Sequence, residues 1–287
     1  MRPARFELHR PTSLEDALAF KAVYGDESTF HAGGTELLVA LKARVLHYDH
    51  VIDLKQVPEL RRIHLREDGT LVIGALSTHH AIARDPLVQR LLPGYAELSD
   101  NVANIRVRVA GTLGGVLCFA EPHADAPTML CALDARMALA SHGAARTLPS
   151  REFHLGEFTT AREENEILVA IEVPPQPPGA RSAYRCFGHT ERPAVGVAAV
   201  WSREGPQRLS LWAGAITGVP IPLPETQAAA NALPADLPPT EIWNRLAPVL
   251  AAEAARIPAH DDLHGGADYK RHLVQVLAQR AIEACLT

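Results

Sequence analysis

Hydrophobic spacing changes period several times along this chain, and each change predicts an element. In RFELHRPTSLEDALAFKAV (5–23), Phe6 and Leu8 alternate with polar neighbours as in a strand. Leu14, Ala17 and Leu18 then fall on one helical face, and Thr12 with Glu15 reads as a capping box at its start. STFH (28–31) and HVIDL (50–54) predict two more short strands, with the amphipathic run ELLVALK between them. The first 55 residues or so therefore describe a small α/β unit, with Gly33-Gly34 between its second strand and second helix.

From Pro58 the pattern differs. RRIHLREDGTLVIGALS (61–77) predicts a hairpin turning at Asp68-Gly69. Helical runs follow over Thr78–Ala83 and 85–103, the second interrupted by Pro93-Gly94. A second glycine-rich loop, GTLGG (111–115), precedes a short helix at Pro127–Leu133 and strands at Arg136–Ala140 and 166–174. PPQPPG (174–179) punctuates the chain and sets a domain boundary. The expected division is 1–175, with subdomains of about 1–55 and 56–175, followed by 180–287. The last part holds strands at AYRCFG, AVGVAAVW and RLSLWAGAI. It closes with a helix over 269–285, where Leu273, Leu277 and Ile282 share a face and Asp268 is placed to cap. The one low-complexity stretch is rich in Pro and Ala, near 219–255.

Composition narrows the function classes. At 287 residues, 47% hydrophobic and 21% charged, the chain is an ordinary globular protein with room for two domains. No apolar run reaches the roughly 18 residues of a membrane span. MRPARFELHRPTS lacks the apolar stretch of a secretory signal, so a cytoplasmic location is expected. A net charge of −5 without a basic block argues against a nucleic-acid partner. Cys118, Cys131, Cys186 and Cys285 are too far apart for a zinc or iron–sulfur site and read as buried, reduced thiols. Among the 14 histidines, His47-x-x-His50 and His79-His80 lack partner ligands in a metal pattern, so no metal is expected in this chain.

The glycine loops carry the chemistry. A Gly-Gly between strand and helix leaves peptide N–H groups facing outward, a ready cradle for phosphate. In His31-Ala32-Gly33-Gly34-Thr35-Glu36, Thr35 adds a hydroxyl that either caps the helix or meets a phosphate oxygen. Gly111-Thr112-Leu113-Gly114-Gly115 repeats the combination. Neither is a GxxxxGK(S/T) or GxGxxG motif, and either alone reads first as a tight turn that binds nothing. Two together suggest a long ligand with two phosphates.

These loops resemble those of a known family. Ala32-Gly33-Gly34-Thr35-Glu36-Leu37 is similar to the AGGTDL or AGGHSL loop of the FAD-binding medium subunits of molybdenum hydroxylases, the carbon monoxide dehydrogenase and xanthine dehydrogenase group. Thr112-Leu113-Gly114-Gly115 looks like their TIGG or TLGG loop, and Asp125 stands where they carry the aspartate of a PxSD segment. VIDL, IGA, EILVAIEVP, GAITGVPIPLPETQAA and YKRHLVQVLAQRAI continue the match in order over nearly the whole chain. The resemblance implies an α+β fold: a two-subdomain FAD-binding domain of the PCMH type, then a C-terminal α+β domain with a small antiparallel sheet and helices. It implies a flavoprotein subunit that takes electrons from a partner's 2Fe–2S clusters into FAD and passes them to NAD or a quinone. Substrate oxidation then occurs at a molybdopterin cofactor in a large subunit, and the assembly is a dimer of heterotrimers.

By the same resemblance, Gly33, Gly34, Thr35 and Glu36 line the pyrophosphate and ribose side, flanked by Ala32 and Leu37. Gly111, Thr112, Gly114 and Gly115 close over the phosphates, and Asp125 accepts from a sugar or ribityl hydroxyl. Leu168 packs by the flavin through its backbone, and Arg185 stands where relatives place a lysine that tunes the flavin. No residue of this chain is assigned to catalysis. Three departures bear on flavin potential and acceptor: Val116 where relatives often have Asn, Glu121-Pro122-His123-Ala124 before the aspartate, and Arg185 itself. The short run from Cys118 to Asp125 leaves no room for the extra 4Fe–4S insert of benzoyl-CoA-type reductases.

Plainer roles stand beside these. Asp125 fits a cap for the helix containing Pro127, Glu36 a first-turn carboxylate, and Arg185 an ion pair across a domain interface. Two rival functions are a free-standing flavin oxidoreductase of the same fold and a scaffold that has lost FAD. A Gly34→Val change is expected to abolish flavin retention in a chain that still folds.

Overall fold

The computed structural model describes residues 2–188, 192–204, 207–234 and 237–287. β1 (Glu7–His9), α1 (Leu14–Tyr24), β2 (Ser28–His31), α2 (Leu37–Ala43) and β3 (His50–Asp53) build a parallel sheet in the order β1-β3-β2. His50 pairs with Glu7 on one side and Ser28 on the other, so β3 is central. The N-cap of α1 is Ser13, whose Oγ accepts the Asp16 N–H at 3.1 Å, one residue beyond the expected Thr12–Glu15 box. Both frames fit the motif, and Ser13 is the residue whose backbone is still extended, at φ −133°.

β4 (Ile63–Leu65) and β5 (Leu71–Gly74) form the expected hairpin. α3 (His79–Arg84), α4 (Pro86–Leu91), α5 (Pro93–Asn101), α6 (Ile105–Ala110), α7 (Leu113–Phe119) and α8 (Asp125–Ala132) follow. β6 (Arg136–Ser141), β7 (Ala144–Pro149), the small pair β8 (His154–Gly156) and β9 (Thr159–Thr160), and β10 (Ile167–Val173) complete this part. Five of these strands make an antiparallel sheet in the order β4-β5-β10-β6-β7, with β10 at its centre. α8 begins at Asp125, two residues before the expected start. Its N-cap is Ala124, so Asp125 lies inside the helix and does not cap it.

β11 (Arg181–Phe187), β12 (Val195–Trp201), β13 (Leu209–Gly214) and β14 (Ile221–Pro222) form an antiparallel meander. α9 (Pro224–Asn231), α10 (Pro239–Ala254) and α11 (Ala267–Leu286) follow. α11 covers one face of the meander, while α5 and α8 from the preceding part cover the other. Every residue of β12 is buried, as expected of a strand enclosed on both faces. Accordingly the core cluster of the preceding part, with Tyr95, Met129 and Phe153, also takes in Ala198 and Val200 and is lined by Tyr184 and Trp212.

Two C-terminal features differ from the sequence pattern. The Pro- and Ala-rich stretch, of which 235–236 lie outside the described residues, contains α10, a helix of 16 residues. Ile242, Leu246 and Leu250 recur every fourth position and are buried beneath it, which outweighs the proline content. The cap of α11 is also not Asp268, which is exposed in the first turn and pairs with Arg271. Asp261 Oδ1 instead accepts the Ala267 N–H at 2.6 Å. All four cysteines are free; Cys131 and Cys285 are buried as expected, while Cys118 is half-buried and Cys186 exposed.

Candidate functional site

The first loop joins β2 to α2 and leaves its peptides open. The N–H groups of Gly33, Gly34, Thr35, Glu36 and Leu37 donate to no described residue. Glu36 occupies the N-cap of α2 without a capping hydrogen bond, and the Thr35 hydroxyl does not supply one. A run of unpaired donors is costly unless water or an anion meets it. Gly34 turns the chain at φ +75°, a conformation that costs an L-residue about 1–2 kcal/mol. A Cβ there would lie 2.5 Å from His31 Nε2. The Gly34→Val variant therefore disturbs the backbone as well as the cradle. His31 is held by Asp53 at 3.3 Å through Nδ1, and its Nε2 is buried without a partner.

The two loops touch. A Cβ on Gly33 would lie 2.1 Å from the Ala110 carbonyl oxygen at the end of α6, so only glycine permits this approach. Beyond Ala110, however, the second glycine motif is not a loop but the start of α7. Thr112 is the N-cap, and its Oγ1 accepts the Gly115 N–H at 3.2 Å. The Leu113 N–H donates to Ser77 O at 2.9 Å, that of Gly114 to Ala75 O at 2.7 Å, and that of Gly111 to Val107 O at 2.6 Å. These donors are already used. What this segment offers a ligand is close approach: beyond the Thr112 hydroxyl, nothing lies within 4 Å of a Cβ built on Gly115. Val116 packs against the core.

Asp125 carries the second unmet demand. Its Oδ1 is buried without a hydrogen-bond partner. Burial pushes its carboxyl up to about 6, with the Glu121 charge adding to the rise and the Tyr184 hydroxyl opposing it. Tyr184 reaches this position because Gly196 has no side chain: a Cβ there would lie 1.8 Å from the hydroxyl oxygen. Around the same corner, Glu121 receives Arg192 Nη1 at 2.8 Å and His123 Nδ1 at 3.0 Å. Burial would raise the Glu121 carboxyl, but the His123 hydrogen bond and the Arg192 charge outweigh it and hold it below its ordinary value. His123 also leans toward Asp262, with Nε2 at 3.7 Å, and its ring packs on His264 at 4.3 Å. Arg192, Tyr184 and Gly196 carry no motif that marks them in the sequence, and long-range folding alone brings them to Glu121 and Asp125.

Ala32 to Leu37, Gly111, Thr112, Gly114, Gly115 and Asp125 thus fall on segments around one corner of the fold. Leu168 lies beneath it with its side chain in the core. Its neighbour Val169 accepts from Ala75, which in turn accepts from Gly114. Arg185 is engaged elsewhere, with Glu97 on α5 at 3.2 Å, and Arg192 is the cation that reaches the first loop. Glu7, His9 and His50 bring one potential ligand atom each within 4.8 Å of the others. The two imidazoles are hydrogen-bonded directly at 3.0 Å and Tyr24 stacks on both, which accounts for their convergence without an ion.

An open run of peptide donors, a free hydroxyl and a buried carboxylate oxygen lacking a donor match the phosphate, pyrophosphate and sugar chemistry of a dinucleotide. Residues 4–176 match the family described as the FAD binding domain in molybdopterin dehydrogenase, and the chain belongs to that family. Over its full length it is 35% identical to the carbon monoxide dehydrogenase medium chain of Hydrogenophaga pseudoflava, covering 99% of this chain and 98% of that one. The nicotine 6-hydroxylase medium subunit of Paenarthrobacter nicotinovorans is 30% identical, covering 95% and 94%. Among solved structures, carbon monoxide dehydrogenase from Hydrogenophaga pseudoflava superposes with a TM-score of 0.90 at 31% identity, covering 99% and 98%. The chain is an FAD-binding subunit of the molybdenum hydroxylase type, with the FAD-binding domain followed by an antiparallel sheet and helices. Among the described residues no helix is long and apolar enough to cross a membrane.

Proposed function

We propose that this chain carries electrons from the 2Fe–2S clusters of a small partner subunit through FAD to an external acceptor such as NAD or a quinone. A molybdopterin-bearing large subunit oxidises the substrate, and the whole assembles as a dimer of heterotrimers. The observation that carries the cofactor reading is the run of five N–H groups from Gly33 to Leu37 that find no partner among the described residues. These peptides and the Thr35 hydroxyl meet the pyrophosphate, while the Gly111–Gly115 segment closes against it without giving up its own hydrogen bonds. Asp125 Oδ1 accepts from a ribose or ribityl hydroxyl, oriented by Tyr184. Leu168 supports the segment from below, and Arg185 ties the C-terminal sheet to α5 through Glu97.

Bound FAD supplies the redox chemistry, exchanging electrons singly with iron–sulfur clusters and in pairs with nicotinamide or quinone acceptors. The protein orients the cofactor and excludes water from its phosphates. The relatives named for carbon monoxide and for nicotine share this type of chain, consistent with substrate choice residing in another subunit. The test is an absorption spectrum of the purified chain, before and after incubation with excess FAD and removal of free ligand. Flavin bands, with FAD identified after heat release, are expected. A folded chain that stays colourless overturns the assignment and leaves the scaffold reading in its place.

A further inference from the structure

Arg192 belongs to the C-terminal part of the chain, yet its guanidinium reaches both the first glycine loop and the turn that follows α7. Nη2 donates to Glu36 Oε1 at 3.2 Å and Oε2 at 3.4 Å, across 156 positions of sequence. Nη1 meets Glu121 Oε1 at 2.8 Å. Glu36 lies within the run of open peptides at the start of α2, and Glu121 follows α7. The Glu121 side chain is 9% exposed, so water screens it poorly. Two carboxylates thus border the cradle that is read as the pyrophosphate site. Left alone, each would repel a doubly charged pyrophosphate and weaken the attraction of the peptide donors.

We propose that Arg192 is the positioning residue that makes this cradle acceptable to a pyrophosphate, by neutralising Glu36 and Glu121 together while tying the C-terminal domain to the first loop. The inference rests on the FAD reading. Arginine suits the task because its planar fork serves two carboxylates at once and stays charged at every physiological pH. His123 reinforces the arrangement from the far side, since it holds Glu121 through Nδ1 and the backbone N–H, at 3.0 and 3.1 Å. Glu121 is therefore fixed where it stands, and its charge must be met in place.

The test is a titration of FAD into the full-length chain, freed of flavin, followed by flavin fluorescence. The variants are Arg192→Ala, Arg192→Lys, Glu36→Gln/Glu121→Gln and the triple Arg192→Ala/Glu36→Gln/Glu121→Gln. Removing the arginine should weaken FAD about tenfold at low salt, with a smaller loss at high salt as screening takes over. Lysine, a single point charge, should recover part of that loss. The decisive arm is the triple variant, which should bind within about threefold of wild type because no carboxylate then needs neutralising. A merely structural role, or direct contact of Arg192 with phosphate, leaves the triple variant as weak as Arg192→Ala and overturns the inference. So does wild-type affinity in Arg192→Ala. A wild-type chain that takes up no FAD defeats the FAD reading and this inference with it, whereas normal wild-type uptake with an unaffected Arg192→Ala defeats this inference alone. Melting curves of each variant separate loss of binding from loss of fold, and Arg192→Gln replaces Arg192→Ala if the latter does not fold.

Discussion

The chain has two glycine segments of nearly the same composition, and they use their backbone hydrogen bonds in opposite ways. Gly33 to Leu37 leave five successive N–H groups unpaired among the described residues. Gly111, Leu113, Gly114 and Gly115 have every N–H satisfied, by Val107, Ser77, Ala75 and the Thr112 hydroxyl. Each glycine pair is nevertheless required. In the first segment Gly33 admits a neighbouring backbone and Gly34 provides a positive φ. In the second, a Cβ on Gly114 would lie 2.6 Å from Ala75 Cβ, so its glycine serves helix-to-strand packing. A glycine motif thus marks close approach, and only hydrogen-bond accounting tells which approach is reserved for a ligand.

The largest effect is expected where the two segments meet. Gly33→Ala drives a methyl to within 2.1 Å of the Ala110 carbonyl oxygen, which moves only with the end of α6. Overpacking of this kind should cost roughly 2–3 kcal/mol and abolish flavin uptake together. Urea unfolding and flavin content of the same preparation check it. Full stability would mean that the segments do not touch as described.

Titration separates the two regions with opposite signs. His79, whose N–H donates to Gly111 O, is held down to about 4 by burial and then by Arg108, against an ordinary 6.5. Its unfolded form takes up a proton first, so stability is present above pH 6.5 and lost as pH falls toward 4. Asp125 is raised to about 6 from 3.8, so its folded form takes up the proton first. Its contribution is full below 3.8 and is lost as pH rises through 6. Replacing His79 by Asn should flatten the acid loss of unfolding free energy, by up to about 3 kcal/mol at roughly 1.4 kcal/mol per pKa unit. His154, also held down to about 4 by burial, should behave likewise, so the histidines outweigh Asp125 and the apo chain should destabilise in acid.

Asp125→Asn should do the reverse. Near pH 7.5 it removes a buried charge and should raise apo stability by roughly 2 kcal/mol, yet weaken FAD because the carboxylate acceptor is gone. Its stabilising effect should vanish near pH 4. If Asp125→Asn left flavin affinity unchanged, the orphan Oδ1 would have no ligand to serve.

Much of this was legible in the residues. Alternation and turn chemistry located β2, β3, the Asp68-Gly69 hairpin, β10 and the meander, because those segments are short, regular and bounded by breakers. Gly114-Gly115 read as loop because adjacent glycines disfavour helix. Contact with Ala75 and the Thr112 cap override that preference, and both depend on tertiary structure. The first loop was legible from its glycine pair between strand and helix, and Asp125 by resemblance, but the reason Asp125 matters, a buried oxygen without a donor, needs the packed structure. Arg192 and Tyr184 were beyond reach, and Glu121 stood out only as a departure from the family, without its partners. Their partners lie far along the chain, and a cation, a ring and a carboxylate at such distances leave no periodic trace.

The finest test compares two threonines. Thr112 Oγ1 accepts the Gly115 N–H, so Thr112→Val removes a helix cap at a site only 6% exposed. It should cost about 1 kcal/mol of stability. In the folded fraction it should also release the Gly115 N–H toward the ligand, leaving FAD affinity nearly unchanged. Thr35→Val removes a hydroxyl that makes no hydrogen bond among the described residues. Its stability should shift by no more than about 0.5 kcal/mol, while FAD affinity falls about threefold to tenfold through loss of one hydrogen bond to phosphate. Paired unfolding and FAD titrations measure both quantities on both variants. If the two threonines exchanged these signatures, the open segment would be the second one and the assignment of the cradle would have to be reversed.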